Sequence, residues 1–179
     1  MVRWTATAGG RSLIWSSRKG RAVATTRKGG GSFSFDAITC IDAISHFPDR
    51  HTVLREWSRL LKPGGNAVYT DPVVITGPLS SREIAIRSSR GFLLFVPLGG
   101  NESAIAAAGL SLIRVEDGTE NVAKFASRRL AAREARRKAL MEIEGKEAVD
   151  RQHELFGVAA AVAAERRLSR FLFHARKLS

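Results

Sequence analysis

The sequence predicts an α/β fold, part of an open parallel sheet followed by a helical C-terminal extension. Three observations predict it. Residues 35–42 form a short, largely apolar run ending in an acid, the pattern of a strand buried on both faces. A helix-period stretch follows and is stopped by Lys62-Pro63-Gly64-Gly65. A second apolar run over residues 66–70 completes a strand–helix–strand unit, a crossover that is right-handed almost without exception.

Each element has its own signal. Phe35-Asp36-Ala37-Ile38-Thr39-Cys40-Ile41-Asp42 is the first strand and a loop spans residues 43–48. Asp49 suits an N-cap because its carboxylate can accept an orphan backbone N–H. Val53, Leu54, Trp57, Leu60 and Leu61 then recur at helical spacing, which places Trp57 in the core rather than on a substrate wall. Asp71-Pro72 closes the second strand. Ser80 or Ser81 caps a short helix running to residue 88, and residues 92–97 are an apolar run that reads equally as strand, lid or core. Residues 102–108 are a helical turn or two, and 110–116 a third strand. Long helices are expected over residues 121–143 and 148–167, and the alternation of Leu168, Phe171, Phe173 and Ala175 predicts a terminal strand.

Charge divides the chain. The 29 Lys and Arg outnumber the 17 Asp and Glu, for a net charge of +12. Residues 1–35 hold seven bases and no acid, residues 36–117 eight bases and nine acids, and residues 118–179 fourteen bases and eight acids. A balanced centre with basic flanks suits a catalytic core better than a nucleic-acid domain, whose basic stripe should cross the folded face. The stretch Arg128-Arg129, Arg133, Arg136-Arg137-Lys138 is diluted by Glu134, Glu142 and Glu144 and lacks interleaved aromatics, so it reads as a solvated helix face. Residues 1–32 read as an irregular or disordered basic leader. Their glycine clusters break any amphipathic helix of the transit-peptide kind. Residues 33–179 form the folded domain. One cysteine, Cys40, excludes an internal disulfide, and the four histidines show no metal-ligand spacing. No apolar run approaches the ~20 residues of a membrane span. A cytoplasmic protein with no metal and no membrane partner is expected.

Phe35-Asp36-Ala37-Ile38, His46-Phe47, Val53-Leu54-Arg55-Glu56 and Leu60-Leu61-Lys62-Pro63-Gly64-Gly65, in this order, resemble the fourth-strand to fifth-strand segment of the class I S-adenosylmethionine-dependent methyltransferases, of the methyltransferase type 11-like kind. The resemblance covers residues 33–72 and continues more weakly to the C-terminus. It implies a partial, Rossmann-like sheet carrying the C-terminal half of that fold, S-adenosylmethionine as cofactor, and a small-molecule methyl acceptor. The cofactor then lies across the carboxyl ends of the parallel strands. Ile41, Asp42, Ala43 and Ile44 stand beside it, His46 faces the methyl-transfer pocket, and Asp71 lies on the substrate side. The family's glycine-rich cofactor loop and ribose-binding acid belong upstream of Phe35, and residues 1–34 contain neither, so a truncated, inactive chain is one expectation.

The residues by themselves leave the roles open. Asp42 is either a cofactor contact or a strand-end acid capping nearby donors. His46 is either a general base, which imidazole suits near neutral pH, or a loop histidine packed on Phe47. Two further functions stand beside methyl transfer. One is a non-catalytic fragment or partner subunit that self-associates or binds a second chain. The other is a basic nucleic-acid-binding module.

Overall fold

A computed structural model describes residues 3–8, 11–18, 21–25 and 35–178, the first three stretches as backbone alone. These three are strands, β1 (Arg3–Ala8), β2 (Arg11–Arg18) and β3 (Arg21–Thr25), paired antiparallel in the order β1-β2-β3. The irregular leader expected over residues 1–32 contains these three strands, and the rest of that stretch lies outside the described residues.

The second sheet carries the domain. Strand β4 (Phe35–Cys40) pairs in parallel with β5 (Leu61–Ile75), and helix α1 (Arg50–Leu60) is the crossover between them. Asp49 caps α1 as expected, accepting from Thr52 N–H at 3.0 Å. The Lys62-Pro63-Gly64-Gly65 stop has two separate physical reasons. Gly64 adopts a left-handed φ of 77°, which glycine reaches without penalty. At Gly65 a Cβ would stand 2.8 Å from the Lys62 carbonyl oxygen and 3.2 Å from that of Asp36, so the turn closes only without a side chain.

Beyond β5 come α2 (Ser81–Arg87), β6 (Val96–Pro97), α3 (Gly100–Ala107), β7 (Leu110–Asp117), α4 (Thr119–Glu134), α5 (Arg137–Glu144), α6 (Lys146–Ala164) and β8 (Leu168–Lys177). Ser80 caps α2 in a full capping box with Glu83. The terminal strand β8 inserts antiparallel between β5 and β7, so the order is β4-β5-β8-β7, with β6 short and parallel on β5.

Two elements differ from the sequence expectation. The second strand runs on past Asp71-Pro72 to Ile75 through a bulge, where Pro72 and Val73 oppose Arg170 alone. Pro72 has no N–H to offer the ladder, so it sits where none is needed. On its other side Arg170 donates its N–H to Thr119 Oγ1 at 3.1 Å and accepts from Gly118 N–H at 2.8 Å, so both backbone groups face the segment leaving β7. The long charged helix breaks at Ala135-Arg136 into α4 and α5. No Gly or Pro marks that break. It lets Arg133 reach back to Glu144 at 2.6 Å and Arg137 reach Asp150 on α6. The basic run is therefore partly consumed in internal ion pairs, and Arg129 lies over the Phe156 ring at 4.8 Å.

The main core joins Phe35, Ile38 and Cys40 of β4 to Val53, Leu54 and Trp57 of α1, Ile105 of α3, and Tyr69 and Phe173 of the central strands. Tyr69 is stacked on Phe173 at 5.1 Å between ring centres and meets Trp57 edge-on at 5.6 Å. Leu93 and Phe95, both partly buried, pack against a smaller core cluster of Val73, Val162 and Leu168. Phe92 is 55% exposed. Among the described residues no helix is long and apolar enough to cross a membrane.

Candidate functional site

In an open α/β sheet the ligand crevice lies outside the carboxyl ends of the parallel strands. Here that edge is built by the segment leaving β4, the end of β5, and the start of α1. The segment turns sharply at Asp42, whose φ of 50° is left-handed, a conformation that aspartate tolerates better than most residues. Three bonds hold it there. Asp42 N–H donates to Thr70 Oγ1 at 2.7 Å, Thr70 Oγ1 donates back to Asp42 Oδ1 at 2.8 Å, and Arg170 Nε donates to the same oxygen at 2.7 Å. The turn places Ile41 outward, 57% exposed, as an apolar ledge at the strand end.

Ala43 and Ile44 point the other way. Both are buried, Ile44 completely, and Ile44 opens a 3₁₀ turn closed by His46. They can offer a ligand only backbone. His46 is half-buried, and its Nδ1 lies 2.9 Å from the Phe92 carbonyl oxygen. A carbonyl only accepts, so Nδ1 carries the proton and donates. In the neutral ring Nε2 then holds the lone pair of a base. Leu94 N–H donates to the Ser45 carbonyl at 2.7 Å, so residues 92–94 are laid across this turn at two points.

Asp71 is not at the surface. It is fully buried and accepts from Arg50 Nη1 at 2.5 Å, Asn101 Nδ2 at 2.9 Å and Val73 N–H at 3.1 Å. Arg50 also bonds Asn101 Oδ1, and Tyr69 hydroxyl donates to that oxygen at 3.1 Å. Burial drives the Tyr69 phenol pKa far up, so it stays protonated and donates. Burial likewise raises the Cys40 thiol well above its usual value, which keeps it an inert core group. The Ser45 hydroxyl and the Arg50 Nε and Nη2 are buried without a hydrogen-bond partner among the described residues.

The structure thus brings Ile41, Asp42 and His46 together at one edge, and sets Asp71 behind it in a closed polar cluster. Sequence reasoning missed Arg50, Thr70, Asn101 and Arg170. Arg50 and Asn101 open helices, where they look like ordinary first-turn residues. Nothing local ties them to Asp71, 21 and 30 positions away. Among the described residues no cluster of His, Cys, Asp and Glu could hold a metal ion.

Residues 23–69 match the model of a methyltransferase domain family. The chain is 33% identical over 93 residues to methyltransferase GfsG of Streptomyces halstedii, covering 49% of this chain and 32% of that protein. It is 54% identical over 44 residues, 25% of this chain and 16% of the relative, to dimethylglycine N-methyltransferase of Parasynechococcus marenigrum. The chain therefore spans at most about a third of these relatives. Among solved structures, it superposes on phosphoethanolamine N-methyltransferase 2 of Haemonchus contortus, in complex with phosphomonomethylethanolamine and S-adenosylhomocysteine. The TM-score is 0.74 at 22% identity, over 84% of this chain and 35% of that one. A cyclopropane synthase of Mycobacterium tuberculosis gives 0.72 at 20% identity, over 82% of this chain and 56% of that one.

Proposed function

We propose that this chain, whose residues 35–177 have the fold of the class I S-adenosylmethionine-dependent methyltransferases, serves methyl transfer from S-adenosylmethionine to a small-molecule acceptor. One observation carries the reading. The ordered string from Phe35 to Gly65, which lies within the family match, forms the strand, the left-handed turn and the crossover helix at the carboxyl edge of the sheet.

The residues present fit part of the cofactor. Ile41 offers an exposed apolar ledge on which a flat base can lie. The turn at Asp42 is pre-set by Thr70 and Arg170, so its backbone needs no ordering on binding. Asp42 Oδ2 remains for a ligand, since the bonds above fall on Oδ1. Ala43 and Ile44 contribute backbone groups. The cofactor supplies the electrophilic methyl group. The protein's part is to hold donor and acceptor in line, which by itself lowers the barrier substantially. His46, with Nδ1 fixed on the Phe92 carbonyl, presents Nε2 to take the acceptor's proton. Asp71 acts from behind, holding Arg50 and with it the start of α1, rather than by touching an acceptor.

The test is calorimetric titration of the folded chain with S-adenosylhomocysteine, beside the Ile41→Asp variant. Micromolar binding that the variant loses supports the reading. Absence of heat up to millimolar ligand, in a sample shown to be folded, overturns it for this chain.

A further inference from the structure

Strand β7 ends the main sheet on one side, and no other described strand pairs with its free edge. At the opposite end of the sheet β1 lies against β4. Every residue of β7 from Leu112 to Asp117 is exposed, although Ala175 and Phe173, directly across the ladder from Leu112 and Val115, are core residues. Leu112, Ile113 and Val115 are each more than a third exposed. An open apolar edge is a template for another strand, and natural sheets commonly blunt it with charge. The charges on β7 are placed so that the strand attracts a copy of itself. Arg114 and Glu116 stand two positions apart, so they share a face, the one that carries His174 and Leu172 opposite them on β8. Both side chains are exposed, and among the described residues each has only the other as ion-pair partner, with Arg114 Nε 2.7 Å from Glu116 Oε1.

We infer that a second copy of this chain pairs its β7 antiparallel with this edge, about a two-fold axis at Val115. An axis perpendicular to the sheet sets one residue opposite itself. With Val115 at the axis, Arg114 stands opposite the second copy's Glu116, and Glu116 opposite the second copy's Arg114. Opposite charges directly across a ladder attract, and like charges there repel. Charge therefore selects the register: an axis at Arg114 sets two arginines opposite each other, and an axis at Glu116 sets two glutamates. On the other face Val115 lies across the ladder from Phe173, a member of the main core, so the two valines at the axis join the two cores. Pairing also gives partners to backbone N–H and C=O groups that the free edge leaves to water, as in other recognition by strand addition. The ladder is short, because the bulge at Ile113 turns the strand away beyond it. The dimer is accordingly weak and concentration-dependent rather than permanent. It needs neither cofactor nor acceptor, so it stands or falls apart from the methyl-transfer reading.

The test is sedimentation velocity of the full chain over roughly 5 to 500 μM, the range in which a weak dimer forms. The mass should climb with concentration from 19.5 kDa towards twice that value. Arg114→Glu turns both cross-strand ion pairs into like-charge contacts and should weaken self-association about ten-fold or more. Val115→Lys sets two ammonium groups opposite each other at the axis and should keep the chain monomeric. The double reversal Arg114→Glu with Glu116→Arg restores opposite charges across the axis and should bring the dimer back. These side chains are exposed, so the variants should keep the circular dichroism of the parent, and rescue by the double reversal is an effect that misfolding would not give. A chain that stays monomeric throughout, leaving the edge to a different protein or to solvent, overturns the proposal. So does a dimer that survives both Arg114→Glu and Val115→Lys, or a double reversal that fails to restore it.

Discussion

Arg170 Nε and Asp42 Oδ1 meet at 2.7 Å across 128 positions of sequence, joining β8 to the turn that leaves β4. Arg170 lies on β8 opposite the bulge at Pro72 and Val73 of β5. The left-handed turn at the candidate site is therefore held in part by a side chain from β8, two places from β4 in the sheet.

Replacing Asp42 tests that dependence. Asp42→Ala removes the two bonds on Oδ1, from Thr70 and Arg170, and leaves alanine at a positive φ, so it should lower stability by about 1–3 kcal/mol in urea unfolding. Asp42→Asn keeps one carbonyl oxygen and tolerates the turn, so it should lose less. Equal losses would mean that the hydrogen bonds do not matter.

The Arg50–Asp71 pair should behave as a buried ion pair. Asp71→Asn leaves the Arg50 charge buried and unmatched and should cost about 3–5 kcal/mol. The double change Arg50→Met with Asp71→Leu should be much milder than the sum of the two single changes, since it leaves no orphan charge. Additivity in a double-mutant cycle would show that the two do not interact.

His46→Gln separates the two ends of the imidazole. The glutamine amide can still donate to the Phe92 carbonyl, so melting temperature should hardly move. The base is lost, and methyl transfer to an acceptor that must shed a proton should fall by roughly 10²–10⁴. A loss of stability with unchanged turnover would assign His46 to structure alone.

Glu83 gives a pH prediction. Hydrogen bonds from Arg167, then from Ser80, hold its carboxyl down at about 2, against an ordinary 4.5. The folded value is the lower one, so the stabilisation is present above the unfolded value and fades as pH falls from about 4.5 towards 2. In the Arg167→Met variant that part of the acid sensitivity should disappear, read as the difference between the two acid-unfolding curves.

Gly65→Ala should destabilise by about 1–3 kcal/mol through overpacking against two carbonyl oxygens. Gly64→Ala meets open space but a strained φ, so it should cost about 1 kcal/mol. Chemical denaturation of both variants ranks steric against conformational cost.

The sequence by itself determined the elements whose signals are local. Asp49 and Ser80 cap their helices because each cap is a bond within three residues. Lys62-Pro63-Gly64-Gly65 ends α1 because sterics within the turn demand it. The alternating apolar residues of 168–177 mark β8, and the ordered string over residues 33–72 points to the fold the chain shares with the solved structures it superposes on. Only the tertiary structure decided which polar groups are paired and which face outward. Asp71 reads as a strand-end acid, yet it lies buried under Arg50 and Asn101. Asp42 is held by Thr70 and Arg170, and the helix over residues 119–144 breaks at Ala135-Arg136 without any breaker residue, with ion pairs from Arg133 and Arg137 on either side of the break. Bonds that span tens of residues leave no periodic trace in the chain, because they depend on where the sheet order β4-β5-β8-β7 brings the strand ends.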